Sequence, residues 1–203
     1  MKLTTKEIRD LLGASYIKDR VNVGRFQIDE EISNHRVRVY TVPDSDDVIV
    51  THRGSTNNRD WVDNFTFGAF NALKSTSTYK THLRVQKKAV KKYGKQNIVV
   101  LGHSRAGLYA KQFYEDNLAN QVITFNKPVN LYDVAKNTIK PKKDDENEII
   151  IRTENDAVSI GQKLLKDNKT DVIIPSKTIN PLTEHSTDTL GNLDENQLLG
   201  NGK

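Results

Sequence analysis

Residues 97–107 read NIVVLGHSRAG, and this stretch passes from apolar to small and polar residues within a few positions. The apolar run 97–101 is typical of a central strand that is buried on both faces. The small residues in 102–107 predict a tight turn with Ser104 at its apex, and residues 105–118 predict a helix. The stretch therefore predicts a strand, a sharp turn and a helix in direct succession.

The flanking sequence repeats this alternation of strands and helices. Further strands are predicted at 36–42, 47–51, 121–125, 148–152 and 171–174, with helices at 5–12 and 79–93 and a turn at 43–46. This order indicates an α/β fold with a mostly parallel central sheet, helices on both faces, and an antiparallel hairpin at one edge. In such sheets the functional residues lie at the carboxyl ends of the strands.

Length and composition limit the protein classes. The chain has 203 residues and a mass of 23.0 kDa, with 35% apolar residues, 28% charged residues and a mean hydropathy of −0.65. We expect a single domain over 1–203 that frays after about residue 196. No apolar run is long enough to span a bilayer, and no apolar segment typical of a signal peptide follows Lys2. The expected location is cytoplasmic, with peripheral contact to a membrane as an option, and other compartments stay open. Without cysteine, the chain has no disulfide, thiolate metal site or cysteine nucleophile.

The net charge of +5 has one local source. Residues 80–95 carry seven cations and no acid. On a helix, the cations before Gly94 lie opposite an apolar side that packs on the core. We therefore expect a solvated basic face, or one that contacts an anionic membrane, and we expect no nucleic-acid binding. Its residues are Lys80, Arg84, Lys87, Lys88, Lys91 and Lys92.

Ser104 is the candidate nucleophile. A nucleophile elbow needs small residues two positions before and two positions after the serine, and Gly102 and Ala106 meet this demand. The N–H of Arg105 at the helix start would then point toward a developing oxyanion. The alternative is an ordinary turn in which Ser104 only caps the helix.

A serine nucleophile needs a base and an acid, which in α/β hydrolases follow it in the order acid, then histidine. Of the five histidines, only His185 lies beyond both Ser104 and an acid at a strand end. Asp156 is that acid, with Glu154 as its nearest rival. Asp156 could instead be a turn residue, and His185 a surface histidine. His103 is expected to be buried in the elbow.

Three separated segments resemble the class 3 lipases, the fungal-lipase-like α/β hydrolases. Residues 51–64, THRGSTNNRDWVDN, are similar to that family's Arg-Gly-Ser and Asp-Trp block. The second segment is the elbow at 102–107. The third consists of NDAV at 155–158 and the later EHS at 184–186. The resemblance extends over about residues 16–195, and it implies an α/β-hydrolase fold in a compact version.

The resemblance also implies further site residues. Ser55 would be a second oxyanion donor beside Arg105, and residues 57–64 with Trp61 would form a lid. Phe65, Phe67, Phe70 and Leu73 would then line the acyl site or the underside of the lid. Trp61 could equally fill the core.

The sequence thus predicts a serine hydrolase of lipid or acylglycerol esters that uses Ser104, Asp156 and His185 and needs no metal or cofactor. Two alternatives stay open. One is an esterase of small esters that does not respond to a lipid interface. The other is an inactive hydrolase fold with a binding or structural role, which Ala106 favours because the family's elbow has glycine there.

Overall fold

A seven-stranded sheet forms the centre of the protein, whose structure is a computed structural model that describes residues 1–54, 74–128, 145–156, 171–178 and 180–200. The order of its strands across the sheet is their order along the chain. The first three strands pair antiparallel, and all later neighbours pair parallel. They are β2 (Gln27–Ile28), β3 (Val37–Thr41), β4 (Val48–His52), β5 (Ile98–His103), β6 (Gln121–Phe125), β7 (Glu148–Thr153) and β8 (Asp171–Ile174).

The helices lie close to their predicted positions. They are α1 (Thr5–Ala14), α2 (Ser77–Tyr93), α3 (Arg105–Glu115) and the short α4 (Pro181–Glu184), with 3₁₀ turns at Lys95–Asn97 and Thr187–Asn192. Helix α3 ends three residues earlier than predicted. The chain turns at Asn117, whose φ of 61° is left-handed and cannot continue a helix. None of the described helices is long and apolar enough to cross a membrane.

Two apolar layers cover the two faces of the sheet, which confirms the prediction of helices on both sides. On one face Ile8, Leu11 and Leu12 of α1 pack against strand residues such as Ile49 and Leu101. On the other face the buried sides of α2 and α3 pack against the alternate residues of β3 to β6. Each strand of the sheet centre therefore buries both of its faces, which is why β5 reads as a continuous apolar run.

The basic face of α2 is oriented as predicted. Tyr79, Val85 and Ala89 are buried on the sheet side. The six cations named above are exposed. Lys92 contacts two carboxylates, with its Nζ 2.8 Å from Asp29 and 2.7 Å from Glu31. Most of the charge of this helix is therefore presented to solvent.

A short strand near the end of the described chain pairs with the start of the chain. Residues 198–199 form a strand, β9, that pairs antiparallel with β1 (Leu3–Thr4). Leu3 is fully buried and Leu199 nearly so, because both pack against the core. Fraying after about residue 196 stays a prediction. Burial of two leucines holds this end of the chain on the domain.

Candidate active site

The turn after β5 holds Ser104 in a conformation that is rare for a residue with a side chain. Its φ is 55° and its ψ is −134°. Backbone hydrogen bonds hold this turn, since Ser104 N–H donates to Phe125 O at 2.9 Å and Gly107 N–H donates to Ser104 O at 2.8 Å. Strained residues of this kind occur mostly at functional sites, because the surrounding structure must compensate for their cost.

Small residues allow this turn, as the sequence predicts. A Cβ on Gly102 would lie 2.5 Å from the backbone oxygen of Ala106, and one on Gly107 would lie 2.9 Å from Lys127 Cβ. Strand and helix therefore approach within a distance that leaves no room for side chains at these positions. The hydroxyl of Ser104 makes no capping hydrogen bond to α3. The interpretation of Ser104 as a helix cap therefore lacks its hydrogen bond.

His185 and Asp156 are paired in a buried environment. Nδ1 of His185 lies 2.8 Å from Oδ1 of Asp156. Asp156 is fully buried just past β7, while His185 follows α4 and is 8% exposed. The ring centroid of His185 lies 5.0 Å from that of His103, the residue before Ser104. The structure thus brings the predicted acid and histidine together, next to the predicted elbow.

Glu154, the rival acid, has a different position. Glu154 is exposed, whereas Asp156, two positions later, is buried. The turn 153–156 accounts for this difference, since Glu154 N–H donates to Ile174 O on β8 and Asp156 N–H donates to Thr153 O. Among these two acids, only Asp156 contacts the imidazole of His185.

The other predicted residues lie partly outside the described chain. Arg105 is the first residue of α3, where its N–H is one of the unpaired donors of a helix start. Ser55, Trp61, Phe65 and Phe67, together with Phe70 and Leu73, fall outside the described residues. Gly54 is the last described residue before them. A Cβ on Gly54 would lie 2.9 Å from His103 O and 3.1 Å from Ser104 Cβ, so the chain leaving β4 touches the elbow.

Three residues with contacts at this site were missed or given no role in the sequence. Tyr16 Oη lies 2.7 Å from His103 Nδ1, and His103 Nε2 lies 2.9 Å from His185 O. Asn126, at the end of β6 with φ 47°, donates from Nδ2 to Glu184 O at 3.0 Å. A polar residue directly after a buried strand was the available signal for Asn126. Tyr16 has no such signal, since it lies in an irregular segment.

Burial keeps the groups behind the site neutral. It lowers the pKa of His103 to about 3, with the nearby His185 ring as a smaller cause. It also raises the pKa of Tyr16 to about 12, against the opposing effect of the Gly54 N–H and of Arg53. At neutral pH the side chains of His103 and Tyr16 are therefore both uncharged. Within the described residues no group of three or more histidines and acids could hold a metal ion.

No model of a protein family matches the chain, and no curated protein matches it. Solved structures do. The triacylglycerol lipase of Penicillium expansum is 17% identical, with 83% of this chain and 77% of that chain covered and a TM-score of 0.53. Lip2 lipase of Yarrowia lipolytica is 15% identical, with 84% and 77% covered and a TM-score of 0.56. The lipase of Rhizomucor miehei in its propeptide complex is 14% identical, with 90% of this chain and 76% of that chain covered and a TM-score of 0.51. The chain therefore has the fold of the fungal triacylglycerol lipases.

Proposed function

We propose that the protein is a serine carboxylic-ester hydrolase that acts on lipid or acylglycerol esters. One observation carries this proposal: a buried histidine and aspartate pair lies beside a serine that a strand-to-helix turn holds at positive φ. A nucleophile, a base and an acid are the groups that acyl transfer through a covalent intermediate requires. The fold shared with fungal lipases is consistent with this chemistry.

In the proposed mechanism, the hydroxyl oxygen of Ser104 attacks the ester carbonyl while Nε2 of His185 takes its proton. Nδ1–H of His185 donates to Asp156, which fixes the tautomer and stabilises the imidazolium. The negative charge that develops on the carbonyl oxygen is stabilised by the N–H of Arg105, with Ser55 as the proposed second donor. His185 then returns the proton to the leaving alcohol. Water, activated by the same histidine, releases the acid from the acyl-enzyme.

The basic face of α2 supports a lipid substrate. Five of its six cations, all except Lys92, have no carboxylate partner among the described residues, and all six are exposed. An anionic lipid surface would attract such a face and bring the enzyme to its substrate. We therefore extend the proposal to peripheral binding on anionic membranes.

Hydrolysis of a soluble p-nitrophenyl butyrate and of emulsified tributyrin tests the proposal. The native protein should hydrolyse both, and Ser104→Ala should lower turnover by roughly 10⁴–10⁶. Ser45→Ala, which changes an exposed turn serine, is the matched control and should keep full activity. Absence of turnover by the native protein would favour the inactive binding or structural alternative.

The concentration dependence of the rate distinguishes the two enzymatic alternatives. A lipase should show a jump in rate when the ester passes from dissolved monomers to droplets or micelles. An esterase of small esters should saturate below that concentration and show no jump. The second result would leave the serine mechanism in place and overturn the assignment to lipids.

A further inference from the structure

A chain of hydrogen bonds runs behind Ser104 and joins two segments that are far apart in the sequence. Gly54 N–H donates to Tyr16 Oη at 3.0 Å. Tyr16 Oη and His103 Nδ1 are 2.7 Å apart, and His103 Nε2 and the backbone oxygen of His185 are 2.9 Å apart. This chain of hydrogen bonds therefore begins at Gly54, just after β4, and ends at the backbone oxygen of His185.

The direction of every bond in this chain is determined by its ends. A backbone oxygen can only accept, so His103 Nε2 must carry the hydrogen that it donates to His185 O. In the neutral ring Nδ1 is then an acceptor, and it receives the hydroxyl hydrogen of Tyr16. The Tyr16 oxygen in turn accepts from Gly54 N–H. Tyr16 and His103 each accept one hydrogen bond and donate another, so all the bonds point from Gly54 toward His185.

Packing holds the His103 ring in this orientation. The ring stacks on Phe125 with centroids 5.4 Å apart and planes 23° apart, and Tyr16 meets it edge-on at 5.6 Å. Its exposed fraction is only 6%. A buried ring that has lost the hydroxyl of Tyr16 would keep an unpaired Nδ1, and an unpaired buried polar atom is unfavourable. The ring would therefore shift or accept the other tautomer.

A second contact makes the position of His185 depend on this chain. Asn126, just after β6, donates a hydrogen bond to the backbone oxygen of Glu184, the residue before His185. Its own Oδ1 accepts from Thr153 N–H at 2.8 Å, which anchors it to β7. His185 is thus held through two consecutive carbonyl oxygens, one from β5 and one from β6. Releasing the first would let the loop rotate about the second.

We propose that Tyr16 and His103 are positioning residues that set the acylation rate by holding the Gly54 segment and the His185 backbone in register with Ser104. This inference rests on the proposed function. Displacements of about 1 Å at a reacting centre can cost on the order of 10²-fold in rate. Tyr16 and His103 take no proton and form no bond in the proposed mechanism, and they act by holding His185 and Gly54.

Tyr16→Phe tests the proposal, because it removes one hydroxyl and leaves the ring. Tyr40→Phe is its matched control. Tyr40 is fully buried, its Oη has no hydrogen-bond partner among the described residues, and burial raises its pKa to about 12, as for Tyr16. Both variants remove one tyrosine hydroxyl, but only Tyr16→Phe breaks the chain of hydrogen bonds.

The main readout is the second-order rate of inactivation by a fluorophosphonate, which reports acylation alone. We expect Tyr16→Phe to lower this rate at least tenfold and Tyr40→Phe to change it less than twofold. For a short p-nitrophenyl ester, Tyr16→Phe should lower kcat with little change in KM. Equal inactivation rates in the two variants would overturn the inference, even if Tyr16→Phe melts at a lower temperature.

Nuclear magnetic resonance of ¹⁵N-histidine-labelled protein gives a readout that a purely structural role would not move. In the native protein His103 should carry its hydrogen on Nε2, and Tyr16→Phe should change the nitrogen shifts of both His103 and His185. Unchanged His185 shifts in Tyr16→Phe would contradict the coupling. A native protein that does not react with the fluorophosphonate at all would overturn the proposed function instead, with the native His103 tautomer still reporting whether the chain exists.

Discussion

The fully buried carboxylate of Asp156 lies 2.8 Å from Nδ1 of His185. In the proposed mechanism this contact keeps the hydrogen of the neutral imidazole on Nδ1, and Nε2 takes the proton of Ser104. Asp156 and His185 are far apart in the sequence. They meet because the turn after β7 and the residue after α4 lie at the same edge of the sheet.

Replacing the acid by its amide tests this relationship. Asp156→Asn keeps the shape of the side chain but removes its charge, and its amide can hold the wrong tautomer of His185. We expect kcat to fall by about 10⁴-fold with a small change in KM. Glu154→Gln is the control, since Glu154 is an exposed acid in the same turn. A comparable loss in the control would contradict the assignment of Asp156.

The tight approach of β5 and α3 predicts a large difference between two glycine substitutions. Gly102→Ala would push a Cβ to 2.5 Å from Ala106 O, so we expect it to lower the free energy of unfolding by about 1–3 kcal/mol or to prevent folding. Gly13→Ala in α1 meets nothing within 4 Å and should raise that free energy by about 0.4–1 kcal/mol. Urea unfolding measures both. Equal effects of the two would argue against the elbow geometry.

Three buried histidines predict instability in mild acid. Burial lowers the pKa of His52 to about 4, of His82 to about 2 and of His103 to about 3. The unfolded chain binds protons at these histidines near pH 6.5, and the folded protein does not. The free energy of unfolding should therefore be highest above about pH 6.5 and should fall as the pH is lowered below it. Each histidine contributes a slope of up to about 1.4 kcal/mol per pH unit.

Urea unfolding between pH 7.5 and 5 measures this slope, because carboxylates contribute little there. His82→Gln should lower the slope of the free energy of unfolding against pH by the contribution of one histidine, up to about 1.4 kcal/mol per pH unit. His35→Gln changes an exposed histidine and should have a much smaller effect. A native free energy of unfolding that is the same at pH 7.5 and pH 5 would contradict the prediction.

The basic face of α2 predicts charge-dependent membrane binding. We expect the protein to bind vesicles that contain phosphatidylserine, and binding should weaken as salt is raised because the charges are exposed. Reversing Lys87, Lys88 and Lys91 to Glu should abolish this binding without loss of activity on a soluble ester. Reversing Lys2, Lys18 and Lys177, which are exposed elsewhere, is the matched control. Equal loss in both triple variants would indicate an effect of net charge alone.

The sequence predicts those parts of the fold that depend on residues close together along the chain. The apolar run before Ser104 is continuous because β5 is buried on both faces, and Gly102 is small because Ala106 O leaves no room for a side chain. Chain order after the serine predicts Asp156 and His185, and the structure brings the two side chains into contact. Whether they catalyse hydrolysis stays a prediction.

Long-range contacts could not be predicted in the same way. Tyr16 lies in an irregular segment with no periodic pattern, and only the three-dimensional structure brings it to His103. The pairing of Leu3 with Leu199 joins two strands of two residues each, which is too short for a recognisable alternation. The predictions for Ser55 and Trp61 concern residues outside the described part of the chain.

The identity of the nucleophile is the central claim, and mass spectrometry after labelling with a fluorophosphonate tests it most directly. The native protein should gain one adduct, on the peptide that contains Ser104. His185→Ala should gain the same adduct far more slowly, and Ser104→Ala should gain none. An adduct on a different residue, or undiminished labelling of Ser104→Ala, would contradict the claim that this serine attacks the ester.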